Sequence, residues 1–523
     1  MRILSTRNFT LLLSMLALMA PSTLAEVKLP AFFSDNMVLQ SSAKDLVWGT
    51  AEPGEQVTVS IAGQKATAAA DSQGRWRVEI GPLKPGGPLE MTIAGRNSIT
   101  IHNIAVGEIW ICSGQSNMEM AVGNSPRAWG GVMNSAQEIA AGNFPMIRQF
   151  MVKHAVAGRP QSDVQGQWLV ASPQTVGEFT AVGYFFGRDL HKALGVPIGL
   201  IHTSWGGTPA EAWTRTSTLS ADPDLASMVA DWSHKISEYP SLLRKFREDF
   251  DQWEPAASAA ESEGKIAPRP PQFPEDPRSN PWRAGGLSNA MIAPLIPYRI
   301  AGAIWYQGES NADRAYQYRK LFPAMIQDWR QAWDEGDFPF LFVQLANFVQ
   351  DDGPPTSWAE LREAQSMAWS LPNTGMATAV DIGNPYDIHP KNKQEVGRRL
   401  ALAAEAIAYG RKVVYAGPIY GSMKVEGSAI RVTFKHVSGG LVAKGGTTAL
   451  KSFEIAGEDR KFAPAEATIS GRDVVVRSAQ VPRPVAVRYA WADDPECSLY
   501  GKSGLPAYPF RTDNWPGVTE GKK

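Results

Sequence analysis

The sequence predicts an α/β protein in which a central parallel sheet is flanked by two β-rich regions. Between residues 107 and 412, short apolar runs that end in Gly, Ser or Asn alternate with helical stretches. Continuous apolar strands joined by helices are typical of a parallel sheet that is buried on both faces. On either side of this region apolar and polar residues alternate instead, and 523 residues are too many for a single core.

Residues 1–25 have the pattern of a secretory signal peptide. Arg2 and Arg7 supply a positive start, FTLLLSMLALMA is apolar, and STLA offers a cleavage point after Ala25. The apolar run is shorter than the roughly 20 residues that a membrane-spanning helix needs, and no other run is long enough. We therefore expect an exported protein, periplasmic or extracellular, without a membrane span.

The two flanking regions are predicted to be β domains. In residues 26–106 the segments QVTVSIAG, KATAAADSQGRWRVEI and LEMTIAGRNSITIHNIAV alternate apolar and polar side chains between turn residues, which favours a small β-sandwich. Residues 413–523 contain AIRVTFKHV, DVVVRS and PVAVRYAWA, which alternate in the same way. A second, C-terminal β domain is therefore expected after the central region.

The central region supplies the strands of the predicted parallel sheet. Ligands of such sheets bind beyond the carboxyl ends of the strands, so the residues that follow each strand are the candidates for function. The predicted strands lie in EIWICSG, IGLIHTSWGG, IAGAIWYQGES, FPFLFVQLANF and GMATAVDIG.

One insertion interrupts this α/β region at residues 219–282. Apolar residues recur at helical spacing over 219–256, with a predicted break at Pro240, and the Pro-rich stretch KIAPRPPQFPEDPRSNPW follows. The pattern indicates a helical excursion with an extended return. It serves either as a cap that shapes access to the site or as a stabilising insertion.

Composition excludes several classes of protein. A formal charge of -1 gives no indication of nucleic acid as a partner. The chain has two cysteines, Cys112 and Cys497, so it is not a disulfide scaffold, and two unpaired thiols are favoured over one bridge. Two cysteines and seven histidines also argue against a structural zinc site.

Ser116 follows the first predicted strand, in WICSGQSNMEM. Serine is a weak nucleophile, so it needs a base within hydrogen-bonding reach and donors for the developing oxyanion. A turn from a strand into a helix supplies amide donors, since the first N–H groups of a helix point outward. The chain has no G-x-S-x-G motif, so the nucleophile elbow of the α/β-hydrolases is absent.

Three other strand ends carry groups that complete such a site. HTSWGGTPAEAW offers the amides of Gly206 and Gly207, whose missing side chains allow close approach of a ligand. IWYQGESNA presents Gln307, Glu309 and Asn311 after another strand. YDIHPKNKQEVG places His389 before a proline, which suits a first helical position, so His389 is expected near the start of a long helix.

Together the four segments SGQSNMEM, SWGGTPAEAW, WYQGESNA and DIHPKNKQEVGRRLALAA resemble the SGNH (GDSL-like) hydrolases, whose Ser, Gly, Asn and His lie in four separated blocks. More closely, they resemble the sialate O-acetylesterase family and its bacterial carbohydrate-esterase relatives. The resemblance extends over about 107–410, and the flanking β regions are similar as well. It implies a flavodoxin-like esterase domain that removes O-acetyl groups from carbohydrate without a metal or organic cofactor.

The resemblance also implies roles for individual residues. Ser116 attacks the acetyl carbonyl, and His389 takes the proton and later returns it to the sugar alcohol. The amide of Ser116, an amide at Gly206 or Gly207 and a side-chain amide within 307–311 hold the oxyanion. Water activated by His389 then releases the acetyl-serine intermediate.

The histidine segment departs from the superfamily pattern. There the acid usually lies three residues before the histidine, a position that Tyr386 occupies here. Asp387 is favoured over Asp381 to orient the imidazole, and a Ser–His dyad assisted by a backbone carbonyl stays open.

The third block departs as well, since it lacks Gly-x-Asn-Asp. Related carbohydrate esterases use a glutamine as donor, so Gln307 is favoured over Asn311. Glu309 is expected to fix the loop without contacting the substrate.

Two rival nucleophiles and several rival functions remain. Cys112 lies inside an apolar run, where a thiol behaves as a small hydrophobe, and Ser204 has no helix start after it.

The favoured substrate is an acetylated oligosaccharide or polysaccharide, either a sialoglycan or a plant glycan such as xylan or xyloglucan. The alternatives are a non-catalytic carbohydrate-binding protein and a lipase or phospholipase. The sequence leaves the oligomeric state open.

Overall fold

The structure is a computed structural model that describes residues 26–124, 129–349, 353, 355–446 and 449–523. The signal peptide predicted over 1–25 lies outside the described residues. The N-terminal strands are β1 (Val38–Gln40), β2 (Asp45–Thr50), β3 (Gln56–Ile61), β4 (Gln64–Ala69), β5 (Arg75–Ile80), β6 (Gly86–Ala94) and β7 (Ser98–Gly114). The central strands are β8 (Phe144–Met151), β9 (Trp168–Ala171), β10 (Ile198–Ser204), β11 (Gly302–Tyr306), β12 (Phe340–Gln344) and β13 (Thr374–Thr378).

The described helices lie between the central strands and in the insertion. They are α1 (Ser116–Glu119), α2 (Ser135–Ala140), α3 (Ala181–Leu194), α4 (Thr216–Ala221), α5 (Ala226–Ser262), α6 (Ala315–Trp333), α7 (Ser357–Ala368) and α8 (Lys393–Ile407). None of these helices combines the length and the apolar character that a membrane crossing requires.

A parallel sheet forms the centre of the molecule. Its strands follow the order β13-β12-β11-β7-β10-β8-β9, and every neighbouring pair from β13 to β8 is parallel. Every residue of β10, β11, β12 and β13 is buried, because helices such as α3 and α8 pack on the sheet. This mixed α/β architecture is the one that the sequence predicts.

The strand β7 joins the N-terminal region to the central sheet. Its first half pairs with β6 in an antiparallel register, from Ser98 opposite Ala94 onward. Its second half pairs in parallel with β10 and β11. The boundary predicted between residues 106 and 107 therefore falls inside one continuous strand. The N-terminal strands β1, β3, β4 and β6 are thus parts of one 11-stranded sheet with the central strands, whereas β2 and β5 pair in a separate two-stranded sheet.

The insertion contains a helix that is longer than the sequence predicts. The predicted break at Pro240 is wrong, because α5 continues through Pro240 and Pro255. Few of its side chains are buried, so water can satisfy the carbonyl groups that a proline leaves without a donor. The extended return is fastened to the helix by Trp253, whose indole N–H donates to the carbonyl of Pro268 at 2.7 Å.

The C-terminal region is rich in β structure, as predicted. A five-stranded sheet, a four-stranded sheet and a two-stranded sheet enclose a hydrophobic core of their own. Their strands are β14 (Ile419–Glu426), β15 (Ala429–Lys435), β16 (Leu441–Ala443), β17 (Ala449–Leu450), β18 (Phe453–Ala456), β19 (Phe462–Pro464), β20 (Glu466–Ser470), β21 (Asp473–Arg477), β22 (Ala486–Tyr489), β23 (Leu499–Gly501) and β24 (Phe510–Arg511).

The register of the central sheet brings three loops together. Gly114 at the end of β7 lies opposite Ser204 of β10 on one side and Tyr306 of β11 on the other. The loops that begin at residues 115, 205 and 307 therefore leave the sheet side by side.

Candidate active site

Ser116 stands where β7 turns into the one-turn helix α1, as the sequence predicts. The turn requires glycine at position 114, where φ is +139° and a Cβ would lie 2.1 Å from the carbonyl oxygen of Tyr306. The side chain of Gln115 accepts hydrogen bonds from the amide of Ser310 at 3.2 Å and of Gly308 at 3.5 Å. The residue before Ser116 is thus tied to the loop after β11.

His389 approaches Ser116 from a distant part of the chain. Its Nε2 lies 2.9 Å from the Ser116 hydroxyl oxygen, across 273 residues of sequence. Both side chains are largely buried, with His389 15% exposed. A neutral imidazole with an unprotonated Nε2 accepts the hydroxyl proton in this geometry, which is the arrangement of a nucleophile with its general base.

His389 lies near the start of α8, as expected, but the proline after it is not the first helical residue. The helix α8 begins at Lys393, and Asn392 caps it by accepting a hydrogen bond from the amide of Glu395 at 3.2 Å. Pro390 therefore lies in the loop before the cap rather than at the first helical position.

Asp387 contacts His389 mainly through the backbone. Its Oδ1 accepts the amide of His389 at 2.9 Å, whereas the distance from Oδ1 to the ring Nδ1 is 3.8 Å. The carboxylate is 37% exposed, and Lys391 Nζ lies 3.5 Å from its Oδ2. The competing carboxylate Asp381 is bound by Arg399 at 2.6 and 2.9 Å and by the hydroxyl of Tyr500.

Asn117 links three of the four loops behind the Ser–His pair. Its amide nitrogen donates to Glu309 Oε1 at 2.6 Å and to the carbonyl of Ile388 at 2.9 Å. Its Oδ1 accepts a hydrogen bond from Lys393 Nζ. Asn117 and Lys393 are both buried, so this network holds the backbone next to His389 without contact with solvent.

The sequence did not single out Asn117 or Lys393, although both lie inside segments that it did. The sequence indicated them only by their position, because Asn117 lies in the motif SGQSNMEM and Lys393 lies in the motif HPKNKQEVG. Their burial and their mutual contact come only from the fold.

Burial and neighbouring cations set the protonation of the site. Desolvation together with the charges of Lys393 and Lys391 lowers the pKa of His389 to about 4, against the opposing effect of Asp387. Desolvation also lowers the pKa of Lys393 to about 7, and it raises the pKa of the buried Glu309 carboxyl. The imidazole is therefore neutral at pH 7 and able to accept a proton.

The loop after β10 carries Gly206 and Gly207, the glycines that the sequence predicts as amide donors. The amide of Gly206 donates to Glu119 Oε2 at 2.5 Å, so it holds a carboxylate oxygen. A Cβ at Gly206 would lie 2.5 Å from the Trp129 ring, which packs with its centroid 5.2 Å from that of His389. Gly207 has a φ of +76°, which favours glycine.

The side-chain amides of Gln307 and Asn311, after β11, have different hydrogen-bond partners. Gln307 Nε2 donates to Asn311 Oδ1 at 2.7 Å and to the carbonyl of Thr208 at 3.3 Å. Both of its hydrogens are therefore engaged, which argues against Gln307 as the oxyanion donor. Asn311 Nδ2 donates to Glu211 Oε2 at 3.0 Å, and its Oδ1 also accepts the amide of Ala210. Glu309 contacts Asn117, as expected of a residue that fixes the loop.

The rival nucleophiles are less suitably placed. Cys112 is fully buried in β7, and desolvation raises the pKa of its thiol. It is a free cysteine, as is Cys497. Ser204 lies 2.5 Å from His202 Nε2, but burial lowers the pKa of His202 to about 3 and both side chains are nearly inaccessible.

The aromatic residues near the strand ends differ in how far they are buried. Trp213, Trp305 and Tyr306 are fully buried and pack in the core. Trp205 is partly buried and stacks on His154 with ring centroids 4.1 Å apart. Within the described residues, no cluster of three or more His, Cys, Asp and Glu is arranged to hold a metal ion.

Comparison with known proteins identifies relatives along nearly the whole chain. A family model described as carbohydrate esterase, sialic acid-specific acetylesterase matches residues 106–249 and 287–406. Sialate O-acetylesterase of Mus musculus is 32% identical, over 96% of this chain and 97% of that protein. The Homo sapiens protein of the same name is 31% identical, over 93% of each.

A solved structure is similar as well. The crystal structure of a carbohydrate acetylesterase from Xanthomonas citri superposes with a TM-score of 0.78 and is 37% identical. The superposition covers 94% of this chain and all of the other.

Proposed function

Because the chain belongs to the sialate O-acetylesterase family of carbohydrate esterases, we propose that it hydrolyses O-acetyl esters of a carbohydrate with Ser116 as nucleophile and His389 as general base. The observation that carries this proposal is the 2.9 Å hydrogen bond between Ser116 Oγ and His389 Nε2. With the outer strands β8 and β9 set aside, the strand order β10-β7-β11-β12-β13 corresponds to the order 2-1-3-4-5 of flavodoxin-like folds, which supports an SGNH architecture with additional edge strands.

In the first step, Ser116 Oγ bonds to the carbonyl carbon of the acetyl group while its proton passes to His389 Nε2. The negative charge that develops on the carbonyl oxygen is stabilised by amide donors, which act strongly in a buried site. We assign these donors to the amide of Ser116, to Gly206 or Gly207, and to the side chain of Asn311 rather than Gln307. The Gly206 amide can stabilise the oxyanion only after its hydrogen bond to Glu119 is broken.

In the second half of the reaction, His389 returns its proton to the sugar oxygen as the ester C–O bond breaks. The acetyl-serine then remains. Water attacks its carbonyl carbon while His389 takes a proton from the water, and acetate leaves as the proton returns to Ser116 Oγ. The side chains described supply every proton transfer, so the cycle needs no cofactor.

Two substrate classes follow from the family. One is an O-acetylated sialic acid, since the mammalian relatives are sialate O-acetylesterases. The other is an acetylated plant glycan such as xylan or xyloglucan, which suits an exported protein that resembles a bacterial carbohydrate acetylesterase. The pattern of residues 1–25 supports export to the periplasm or beyond.

The test is the release of acetate from p-nitrophenyl acetate, acetylated sialosides and acetylated xylan by the wild type and by Ser116→Ala. We expect the variant to lose roughly a thousandfold or more of kcat/KM, since the covalent route depends on this oxygen. Ser204→Ala is the matched control and should stay active. Equal rates for wild type and Ser116→Ala would favour a carbohydrate-binding protein without this catalysis, and a preference for long-chain esters would favour a lipase.

A further inference from the structure

Beside the candidate active site lies a cavity of about 530 Å³. Two of its walls continue the loops that carry site residues, with Pro209 and Glu211 after β10 and residues 309–314 after β11. The third wall belongs to the insertion and consists of residues 227–235 of α5 together with Trp282 from the extended return. The volume lies within the range of about 300–1,000 Å³ that is usual for ligand pockets.

The cavity wall is bonded to both neighbours of the nucleophile. The amide of Ser310 donates to Gln115 Oε1 at 3.2 Å, and Glu309 Oε1 accepts from Asn117 at 2.6 Å. Glu211 fixes the opposite wall, because it accepts from Asn311 and from Arg314, each at 3.0 Å. A ligand in this cavity therefore lies next to the loops that surround Ser116.

Two tryptophans of the insertion line this cavity. Trp282 is 50% exposed, and its amide is anchored by Asn280 Oδ1 at 2.8 Å. Trp232 is partly buried, and Lys235 Nζ lies 4.4 Å above its ring. Aromatic faces at the mouth of a pocket, with polar side chains between them, suit the alternating C–H and hydroxyl surfaces of a sugar ring.

The charges of the lining favour a neutral ligand. The carboxylates are more numerous than the cations, and Arg314 is already paired with Glu211 at 3.0 Å. A ligand with many carboxylates would therefore find few unpaired cations here to compensate for its charge. The lining acids are Glu211, Asp231, Glu309 and Asp313, and the lining cations are Lys235, Arg314 and Lys523.

We propose that this cavity is a glycan subsite, in which Trp282 and Trp232 stack on neutral sugar units adjoining the acetylated one. This inference rests on the proposed esterase function and extends it to the substrate class. It gives the insertion a role as part of the substrate-binding surface. Trp282 lies in the segment 250–286, which the family model does not match.

The experiment compares Trp282→Ala, Trp232→Ala and wild type on two substrates, an acetylated neutral xylo-oligosaccharide and p-nitrophenyl acetate. We expect the ratio of kcat/KM for the oligosaccharide to that for p-nitrophenyl acetate to fall about tenfold in each variant, through KM, because a stacking surface is lost. Phe273→Ala is the matched control, since Phe273 is an aromatic residue of the same return, 66% exposed and outside the cavity lining. It should leave the ratio at the wild-type value.

The outcomes separate this inference from the proposed function. A wild type that is inactive on p-nitrophenyl acetate and on every acetylated glycan refutes the esterase function itself. A wild type that is active, with an unchanged ratio in both tryptophan variants, refutes the subsite alone. An acetylated sialoside that depends on Trp282 as strongly as the xylo-oligosaccharide does would overturn the preference for neutral sugars.

Discussion

Asp387 holds the backbone of His389 more closely than it holds the imidazole, with distances of 2.9 Å to the amide and 3.8 Å to Nδ1. A triad carboxylate normally accepts the Nδ1–H directly and fixes the tautomer of the ring. Here the carboxylate fixes the loop that carries the ring and is partly open to solvent. The contact between the Ser116 hydroxyl and the His389 ring is therefore shorter than the contact between the His389 ring and the Asp387 carboxylate.

This geometry predicts different effects for two substitutions of Asp387. Asp387→Asn keeps an oxygen that can accept the His389 amide, so kcat/KM should fall only about tenfold. Asp387→Ala removes that acceptor and should cost about a hundredfold, because the loop loses its anchor. Steady-state kinetics on p-nitrophenyl acetate measure both. Replacement of a buried triad aspartate by asparagine lowers kcat about 10⁴-fold. A loss of that size in Asp387→Asn would show instead that the carboxylate acts by binding the imidazole ring.

The pH dependence should follow the lowered pKa of His389. In the proposed mechanism the neutral imidazole is the base, so kcat/KM should stay high down to about pH 4 and fall below it. Lys391→Gln removes a cation that lowers this pKa. The pKa should then rise toward its ordinary value, and the acidic limb should move to higher pH.

The pH profile of Lys84→Gln serves as the control, since Lys84 is an exposed lysine of the N-terminal β region. An acidic limb that moves to lower pH in Lys391→Gln would contradict the assignment of this limb to His389.

Asn117→Ala should reduce both activity and stability. The substitution leaves Lys393, Glu309 and the carbonyl of Ile388 without their shared buried partner. We expect the free energy of unfolding to fall by about 2–4 kcal/mol and kcat to fall more than KM rises. Urea unfolding and steady-state kinetics measure the two effects.

Asn97→Ala is the control that separates the loss of stability from the loss of activity. Asn97 also makes two hydrogen bonds, both to the backbone of Val27, in the N-terminal region. It should destabilise the protein without changing kcat of the folded fraction. If Asn117→Ala behaved in the same way, the network behind the Ser–His pair would have no part in positioning His389.

Gly206→Ala should impair the site by steric overlap. The new Cβ would lie 2.5 Å from Trp129, which packs against His389, and 3.1 Å from Glu119 Oε2. We expect kcat/KM to fall by about ten- to a hundredfold, with a stability loss of about 1–3 kcal/mol from overpacking.

The control for backbone effects is Gly195→Ala at the end of α3. Its φ is +71° and the space around it is open, so strain lowers stability there without a clash. Thermal unfolding and kinetics on the same samples compare the two glycines. Full activity in Gly206→Ala would contradict the expected clash.

Much of the fold follows from local patterns in the sequence. Buried parallel strands and amphipathic helices have different periods, so their alternation predicts the α/β core and the β-rich flanks. Ser116 at a strand-to-helix turn is predicted in the same way. The continuity of β7 across residues 106 and 107 was not predictable, because a strand that serves two regions has no break in its pattern.

The sequence by itself determined which four loops are the candidates for the site, because strand ends, glycines and a histidine before a proline are visible in local order. Only the tertiary structure decided which groups in those loops are available. Gln307 is engaged by Asn311 and Thr208, and Asn117 joins loops that are 192 and 271 residues away along the chain. Hydrogen-bond partners depend on how distant segments pack, and that packing has no counterpart in the spacing of residues within one segment.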